Sequence, residues 1–240
     1  MDIQARSEGA GRFSVRPYTD ADLPAVRALV TADRLPGEPP SSGHLPDVPP
    51  SGEDFDAVAA LLAFARAHLG HRKLHAFTAP ATTTGVPGLP MRHRPATAKA
   101  LTAAGFTPAT AQEYLLRDLD DPEPAAPDYP IADVTLLEDF RGWRLAAPGP
   151  DATGLLAGAV LSRPDPGSGT AALWHLAVHP EHRRRGIGHR LLAQCLDVAA
   201  TGGGRYLAAF TDPDDEAAMR LLAAQDFNSI DTFAVYHCRP

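Results

Sequence analysis

Three consecutive arginines followed by two glycines are the residues of this chain with the clearest capacity for chemistry. Arg183, Arg184 and Arg185 directly precede Gly186 and, two positions later, Gly188. Arginine pairs with phosphate through charge-assisted hydrogen bonds. Glycine lets the backbone turn tightly and come close to a ligand. This combination predicts a site for an anion such as a pyrophosphate.

The elements predicted on either side of this run also favour an anion site. An apolar strand is predicted from Thr170 to Val178 and ends before Pro180. An amphipathic helix is predicted from about Gly188 to Ala200, and the first amides of a helix have no internal partners and lie at the positive end of its dipole. A dinucleotide fingerprint is excluded because Leu191 stands where its third glycine belongs, and no Walker loop is present.

Two motifs of this region resemble those of the GNAT acyltransferase superfamily. Residues 178–188, VHPEHRRRGIG, match its acyl-CoA signature V-x-P-x-x-[RQ]-x-x-G-x-[GA] at every specified position. A second family pattern, N-x-x-A-x-x-L-Y-x-x-x-G-F, is met in part: Ala218, Leu221 and Phe227 match, whereas Asp215, Leu222 and Asp226 replace its Asn, Tyr and Gly.

The resemblance implies that acetyl-CoA is the co-substrate, held in an opening between two splayed strands. Backbone groups of one strand end would pair with the pantetheine arm, and the turn and helix start would hold the pyrophosphate. The cofactor-binding residues implied are Leu176, Ala177, Val178, Arg183, Arg184, Arg185, Gly186, Ile187, Gly188, His189 and Asp215. No metal is implied.

Candidate catalytic groups follow from the chemistry of amine acylation. A base must remove a proton from the ammonium, and an acid can protonate the departing thiolate. The strand before the signature offers His175 and no carboxylate, and imidazole is a suitable base near neutral pH. A structural histidine beside Trp174 is the alternative. Because Leu222 cannot donate a proton, Tyr236 or a water is the candidate acid. Cys195 falls on the apolar stripe of a helix and is expected in the core.

The expected fold class is α/β (α+β), a GNAT-like mixed central sheet flanked by helices. A faint repeat of helix, strand, helix, strand indicates two GNAT-like units, the first of them reduced and lacking the signature. The expected organisation is a disordered leader at 1–12, a degenerate N-terminal unit at 13–119, a linker at 120–130 and the acyl-CoA-binding unit at 131–240.

Composition argues against several other classes of protein, namely nucleic-acid-binding, metal-binding, secreted and membrane proteins. The net charge of the 240 residues is -7, so nucleic-acid binding is not expected. The two cysteines have no metal-ligand spacing. Neither a secretory signal nor an apolar run of roughly 20 residues is present, which predicts a cytoplasmic protein without a membrane segment. A monomer or homodimer is expected.

The sequence therefore predicts an N-acyltransferase that moves an acetyl group from acetyl-CoA to an amine of a small molecule. The alternative is a module that binds acyl-CoA without catalysis, which the departures at Asp215, Leu222 and Asp226 would suit.

Overall fold

The computed structural model describes residues 19–22, 24, 52–69, 72–78, 86–120, 131–149 and 154–239. The expected leader at 1–12 and residues 121–130 of the expected linker lie outside them. The described strands form one nine-stranded sheet in the order β1-β9-β3-β8-β7-β6-β5-β4, with the short β2 also paired to β9. Neighbouring strands are antiparallel except for β7 and β8.

The strands differ in length, and the longest lie on either side of the middle of the sheet. Their bounds are β1 Leu74–Ala76, β2 Leu89–Pro90, β3 Thr107–Asp118, β4 Asp133–Leu137, β5 Gly142–Pro148, β6 Leu155–Ser162, β7 Thr170–Val178, β8 Tyr206–Thr211 and β9 Asn228–Cys238.

The described residues contain four α-helices with defined bounds, namely α1 Gly52–Leu69, α2 Pro95–Ala103, α3 Ile187–Thr201 and α4 Glu216–Ala223. Local sequence sets their ends. Pro95 begins α2, where its missing N–H costs nothing. The buried stripe of α3 includes Leu191, Leu192 and Cys195, at helical spacing. None of the helices within the described residues is long and apolar enough to cross a membrane.

The largest apolar cluster lies between the sheet and the helices α3 and α4. Leu145 of β5, Leu161 of β6 and Leu207 of β8 pack there with Leu191 of α3 and Leu222 of α4. A second cluster, around Leu101 and Tyr236, lies under α2 near β1 and β9. Burial of these side chains is the main favourable term that holds the helices on the sheet.

Most predicted elements are confirmed, and three expectations are corrected. The prolines and glycines of residues 79–90 predict a loop, but this segment contains β2, and no strand is predicted where β4 lies. Asp212-Pro213 predicts a helix start, with Asp as cap and Pro at the first position. The helix instead begins at Glu216, because the side chain of Asp215 caps it. β2 is defined by its pairing with the distant β9, which its two residues alone do not predict. β4 pairs with the neighbouring β5, but it is a short and mostly exposed edge strand with a weak local signal.

The predicted order of helix, strand, helix and strand is found twice, as α1-β1-α2-β3, apart from the short β2, and as α3-β8-α4-β9. The strands of the two copies are interleaved, because β3 lies between β8 and β9 while β9 lies between β3 and β1. One sheet therefore joins the residues on both sides of the expected boundary near residue 120.

Equivalent helices of the two copies end in the same way. The N–H of Phe106 donates to Leu101 O at 2.9 Å, and that of Phe227 donates to Leu222 O at 3.1 Å. The residue before each phenylalanine is left-handed, with φ of 83° at Gly105 and 55° at Asp226. The family pattern has glycine at the second position, so Asp226 keeps the turn of that glycine at a steric cost.

Substitutions at these two positions test the strain. Gly105→Ala is expected to lower the free energy of unfolding by about 1 kcal/mol, because a left-handed alanine is unfavourable. Asp226→Ala keeps the strained Cβ and loses the Asp226–Arg117 ion pair at 3.2 Å, so a loss of at most about 1 kcal/mol is expected. Asp226→Gly is expected to be more stable than Asp226→Ala, since both lose the ion pair but only glycine relieves the strain. Urea denaturation measures all three, and equal stabilities of Asp226→Gly and Asp226→Ala contradict this account.

Candidate active site

The parallel strands β7 and β8 separate part of the way along their length. Their ladder runs only from Thr170 opposite Tyr206 to Leu173 opposite Ala209. Beyond Leu173, β7 stays paired to β6, and β8 stays paired to β3. An opening therefore lies between residues 174–178 of β7 and the end of β8.

A bulge in β7 accompanies this separation. Leu173 lies opposite Leu161 and His175 lies opposite Val160, so Trp174 is the extra residue. A bulge bends its strand and increases the local twist. The bend is a physical reason for β7 to follow β6 and leave β8, and it places the separation at Trp174.

The backbone of β7 presents unpaired groups to this opening. The N–H of His179 donates to Leu156 O of β6 at 2.9 Å. Because successive N–H groups of a strand point to opposite sides, those of Leu176 and Val178 point away from β6. Both face the side from which β8 has departed.

The signature turn follows directly. Pro180–His182 form one turn of 3-10 helix, and the Nε of Arg183 donates to Val178 O at 3.0 Å. Arg184 and Gly186 are left-handed, with φ of 60° and 75°. Gly186 takes this conformation without the cost of a side chain, which lets the chain enter α3 sharply.

The start of α3 completes an anion-binding geometry. The amides of Ile187, Gly188 and His189 have no intrahelical acceptors, and the helix dipole is positive there. Space beside Gly188 is limited, since an added Cβ would lie 3.5 Å from Leu221 and 3.6 Å from Val178. The helix start is thus held against the end of β7.

The predicted arginines are exposed, and no ion pair within the described part of the chain uses Arg184 or Arg185. His189 is exposed, and its Nε2 lies 2.7 Å from Nε2 of the buried Gln225. That contact fixes the imidazole of His189 beside the last turn of α4.

His175 is exposed and lies opposite Val160, on the sheet face away from α3. Its ring forms no hydrogen bond within the described residues, so both nitrogens are available to a ligand. Its position one residue beyond the point of separation brings it together with Leu176, Ala177 and Val178.

Tyr236 is not brought to the same place. It is 1% exposed in β9, packed in the cluster of Leu101 and Phe106. Strands β3 and β8 lie between β9 and β7, a separation of about 14 Å at the usual strand spacing. Burial raises the pKa of Tyr236. Its hydroxyl cannot reach a group in the opening between β7 and β8.

Asp215 is occupied as the N-cap of α4. Its Oδ1 accepts from the N–H of Ala217 at 3.1 Å and from that of Ala218 at 3.0 Å. A carboxylate is stable in this position because it satisfies two free amides. It also brings a negative charge to the helix start that the resemblance places beside the cofactor.

Asp215→Asn separates these two roles. Asparagine caps a helix as well as aspartate does but carries no charge. We expect acetyl-CoA to bind severalfold more tightly, with a free energy of unfolding changed by less than about 0.5 kcal/mol. Asp215→Ala should instead lower stability by about 1 kcal/mol. Calorimetry measures the affinity for acetyl-CoA, and thermal unfolding measures the stability. An unchanged affinity in Asp215→Asn argues against a cofactor near this cap.

A buried carboxylate that the sequence analysis did not single out lies on β3. Glu113 is 5% exposed, and its oxygens accept from Arg92 at 2.6 Å, from Thr232 at 2.6 Å and from Ser229. Burial pushes the pKa of Glu113 upward, but the two hydroxyl bonds and the charge of Arg92 outweigh it, so the pKa lies below its ordinary value. A carboxyl held ionised in this way is a structural anchor rather than a proton acceptor.

The lowered pKa carries a pH dependence. Stability from Glu113 is present above the ordinary glutamate pKa and is lost as pH falls through the lowered value. Glu113→Gln is expected to lower the free energy of unfolding by about 1–3 kcal/mol at neutral pH and by less in acid. Denaturation at a series of pH values checks this, and an equal loss at all of them contradicts it.

A buried cysteine and a surface cluster of two histidines and a glutamate also lie near the site. Cys195 is fully buried in α3, as expected, and burial raises the pKa of its thiol well above the ordinary value. The structure also brings His179, Glu181 and His182 together, with ligand atoms within 4.8 Å of one another. These are surface residues of the signature turn.

Comparison with known proteins identifies the region around the opening. A model of the acetyltransferase (GNAT) family matches residues 112–227. Residues 112–227 form a GNAT acetyltransferase domain. The match begins within β3, so the strand that lies between β8 and β9 is part of the domain. GNAT acetyltransferases bind acyl-CoA and transfer its acyl group.

Solved GNAT structures share the fold. A tandem GNAT protein from the clavulanic acid biosynthesis pathway is 18% identical, with a TM-score of 0.52, over 75% of this chain and 67% of that one. A GCN5-related N-acetyltransferase from Kribbella flavida is 16% identical, with a TM-score of 0.51, over 77% and 76%. At these identities the likeness concerns the fold. No curated protein is significantly similar to this chain in sequence.

Proposed function

We propose that this protein transfers an acetyl group from acetyl-CoA to the amine of a small-molecule acceptor by direct attack. The observation that carries the proposal is the opening between β7 and β8 next to the free amides of α3. One wall offers backbone donors for a thioester, and the adjoining helix start offers donors for a pyrophosphate. An acyl-CoA carries both groups and needs both sets of donors together.

Each part of acetyl-CoA has a proposed partner. The pyrophosphate lies on the amides of residues 184–189, with Arg183, Arg184 and Arg185 supplying positive charge. The pantetheine arm lies along β7 and pairs with backbone groups of Leu176, Ala177 and Val178. This assignment places the thioester near the point where β7 and β8 separate.

The transfer itself needs positioning, one base and an oxyanion donor. The amine nitrogen attacks the thioester carbonyl, the C–N bond forms, and the oxyanion is held by a β7 N–H, for which Leu176 is the candidate. The C–S bond then breaks and CoA leaves as the thiolate. His175 takes the proton lost by the amine. Because Tyr236 lies elsewhere, water protonates the thiolate.

We also propose that the chain consists of two GNAT-like units, of which only the second binds acetyl-CoA. The first copy supplies β3 to the sheet but has no counterpart of the arginines and the glycine that precede α3. Without that turn it lacks the charge and the tight backbone that a pyrophosphate site needs. The first unit is therefore degenerate, and it serves the second by completing its sheet.

Thiol release tests the function directly. Purified protein with acetyl-CoA and a panel of primary amines is expected to release CoA thiol, detected with a chromogenic disulfide. The cysteines Cys195 and Cys238 are both buried, so the folded protein contributes little background. Mass spectrometry of the acceptor should show one added acetyl group. Micromolar binding of acetyl-CoA without release for any amine supports the non-catalytic alternative, which the buried Leu222 would suit.

A further inference from the structure

The sheet face opposite α3 carries a row of side chains that the cofactor does not use. Arg144 of β5, Val160 of β6 and His175 of β7 lie directly opposite one another. Directly opposed residues share a face. Leu145 and Leu161, their neighbours in sequence, face α3, so this row faces the other way. Arg144 and His175 are exposed and Val160 is half-buried.

An exposed aromatic pair borders the same row. Trp174, the bulged residue of β7, is 46% exposed, and Phe140 is 43% exposed. Their ring centroids are 6.1 Å apart with an interplanar angle of 74°, an edge-to-face contact. Since Leu173 and Leu176 pack toward α3, both Trp174 and His175 are assigned to the open face. The aromatic pair therefore stands beside the proposed base.

Charge on this face comes from Arg144. No ion pair within the described part of the chain involves it. Its Cα lies two strand spacings, about 10 Å, from that of His175. A guanidinium there is suited to a carboxylate, which it binds through two parallel hydrogen bonds. A ligand that reaches from His175 to Arg144 passes over Val160 and along Trp174.

We propose that the acceptor is a primary amine that also carries a carboxylate and an apolar or aromatic body, as an aromatic amino acid does. Arg144 binds the carboxylate, Trp174 and Phe140 pack against the body, and the amine lies at His175 beside the thioester. This inference rests on the proposed function for the place of the thioester. It adds Arg144 and Trp174 as the residues that set acceptor specificity.

Equilibrium binding tests the inference without requiring turnover. Calorimetry of the full chain loaded with CoA compares L-phenylalanine with phenethylamine, which has the same amine and ring but no carboxylate. We expect phenylalanine to bind at least about tenfold more tightly. Arg144→Gln should remove that difference, and Arg144→Lys should restore part of it. Arg239→Gln, which removes an exposed charge just after the end of β9, three strands from β7, should leave it unchanged.

Trp174 has its own signature in the same measurement. Trp174→Ala should weaken both ligands about equally, because both present the ring, whereas Trp174→Phe should keep most of the affinity. Equal affinities of the two ligands, a preference that survives Arg144→Gln, or no binding of either ligand would each overturn the inference.

Thiol release then separates this inference from the function on which it rests. Carboxylate-dependent binding without release of thiol leaves the recognition standing and refutes catalysis. Release that is equally fast with phenylalanine and phenethylamine, together with equal affinities, leaves catalysis standing and refutes the role of Arg144.

Discussion

Gly186→Glu is expected to weaken acetyl-CoA binding at least about a hundredfold. An added Cβ at Gly186 meets no atom within 4 Å, so the glutamate projects into open space at the start of α3. Its carboxylate would lie where the pyrophosphate is proposed to bind, and like charges in contact cost several kcal/mol. Calorimetric titration with acetyl-CoA measures the loss.

The chain contains a matched control at the other end of the same helix. Gly203 is also left-handed, with φ of 85°, and an added Cβ there also meets no atom within 4 Å. Gly203→Glu therefore introduces the same strain and the same charge beyond the C-terminus of α3, and should leave binding within about twofold. Gly186→Ala introduces the strain alone and should change affinity by no more than a fewfold.

Adding Gly188→Glu strengthens the contrast. The Cβ at residue 188 is directed at Leu221 and Val178, so the glutamate also disturbs the contact between α3 and the end of β7. The double variant should show no measurable binding. If Gly186→Glu and Gly203→Glu bind acetyl-CoA equally well, the start of α3 does not hold the pyrophosphate, and the proposed function loses its main support.

His175→Gln is expected to lower kcat by about a hundredfold, the usual contribution of a general base. Glutamine keeps much of the size and the hydrogen bonding of histidine but accepts no proton at neutral pH. The Kd for acetyl-CoA should change by less than about threefold, because the backbone of β7 rather than this side chain is proposed to bind the cofactor. Steady-state thiol release and calorimetry measure the two quantities separately.

Further variants distinguish a base from a residue that only shapes the strand. Added imidazole should restore part of the rate of His175→Ala, since it can occupy the vacated space and take the proton. His75→Ala removes another exposed strand histidine, at β1, and should be without effect on the rate. A His175→Gln variant with full activity would mean that water serves as the base.

Most helices and strands near the site could be predicted from the sequence. The predicted bounds of β7 are confirmed, and the predicted helix near Gly188 begins at Ile187. Periodic apolar residues and the glycines between them are strong local signals. The two-residue β2 was missed because it is defined by pairing with the distant β9, which local sequence does not encode. β4 was missed because a five-residue edge strand that is mostly exposed gives a weak local signal.

Some site residues could be placed from the sequence, and others only from the structure. His175 and the signature residues are contiguous in sequence, so their proximity followed from one strand–turn–helix unit. Tyr236 was a candidate acid because Leu222 cannot donate a proton. The order of strands decides its place, and it puts β3 and β8 between Tyr236 and β7. Asp215 was expected at a helix start, but its two bonds to backbone amides became visible only in the structure.

The sequence by itself determined the family motifs, the anion-binding turn and the repeated order of helices and strands, because each depends on residues within about 20 positions of one another. The tertiary structure alone decided the interleaving of β3 and β9, the separation of β7 from β8 at Trp174, and the row formed by Arg144, Val160 and His175. Those features depend on which strands pair and on the register of each pairing. A shift of one residue would turn every side chain of a strand to the other face, so pattern within a strand cannot specify them.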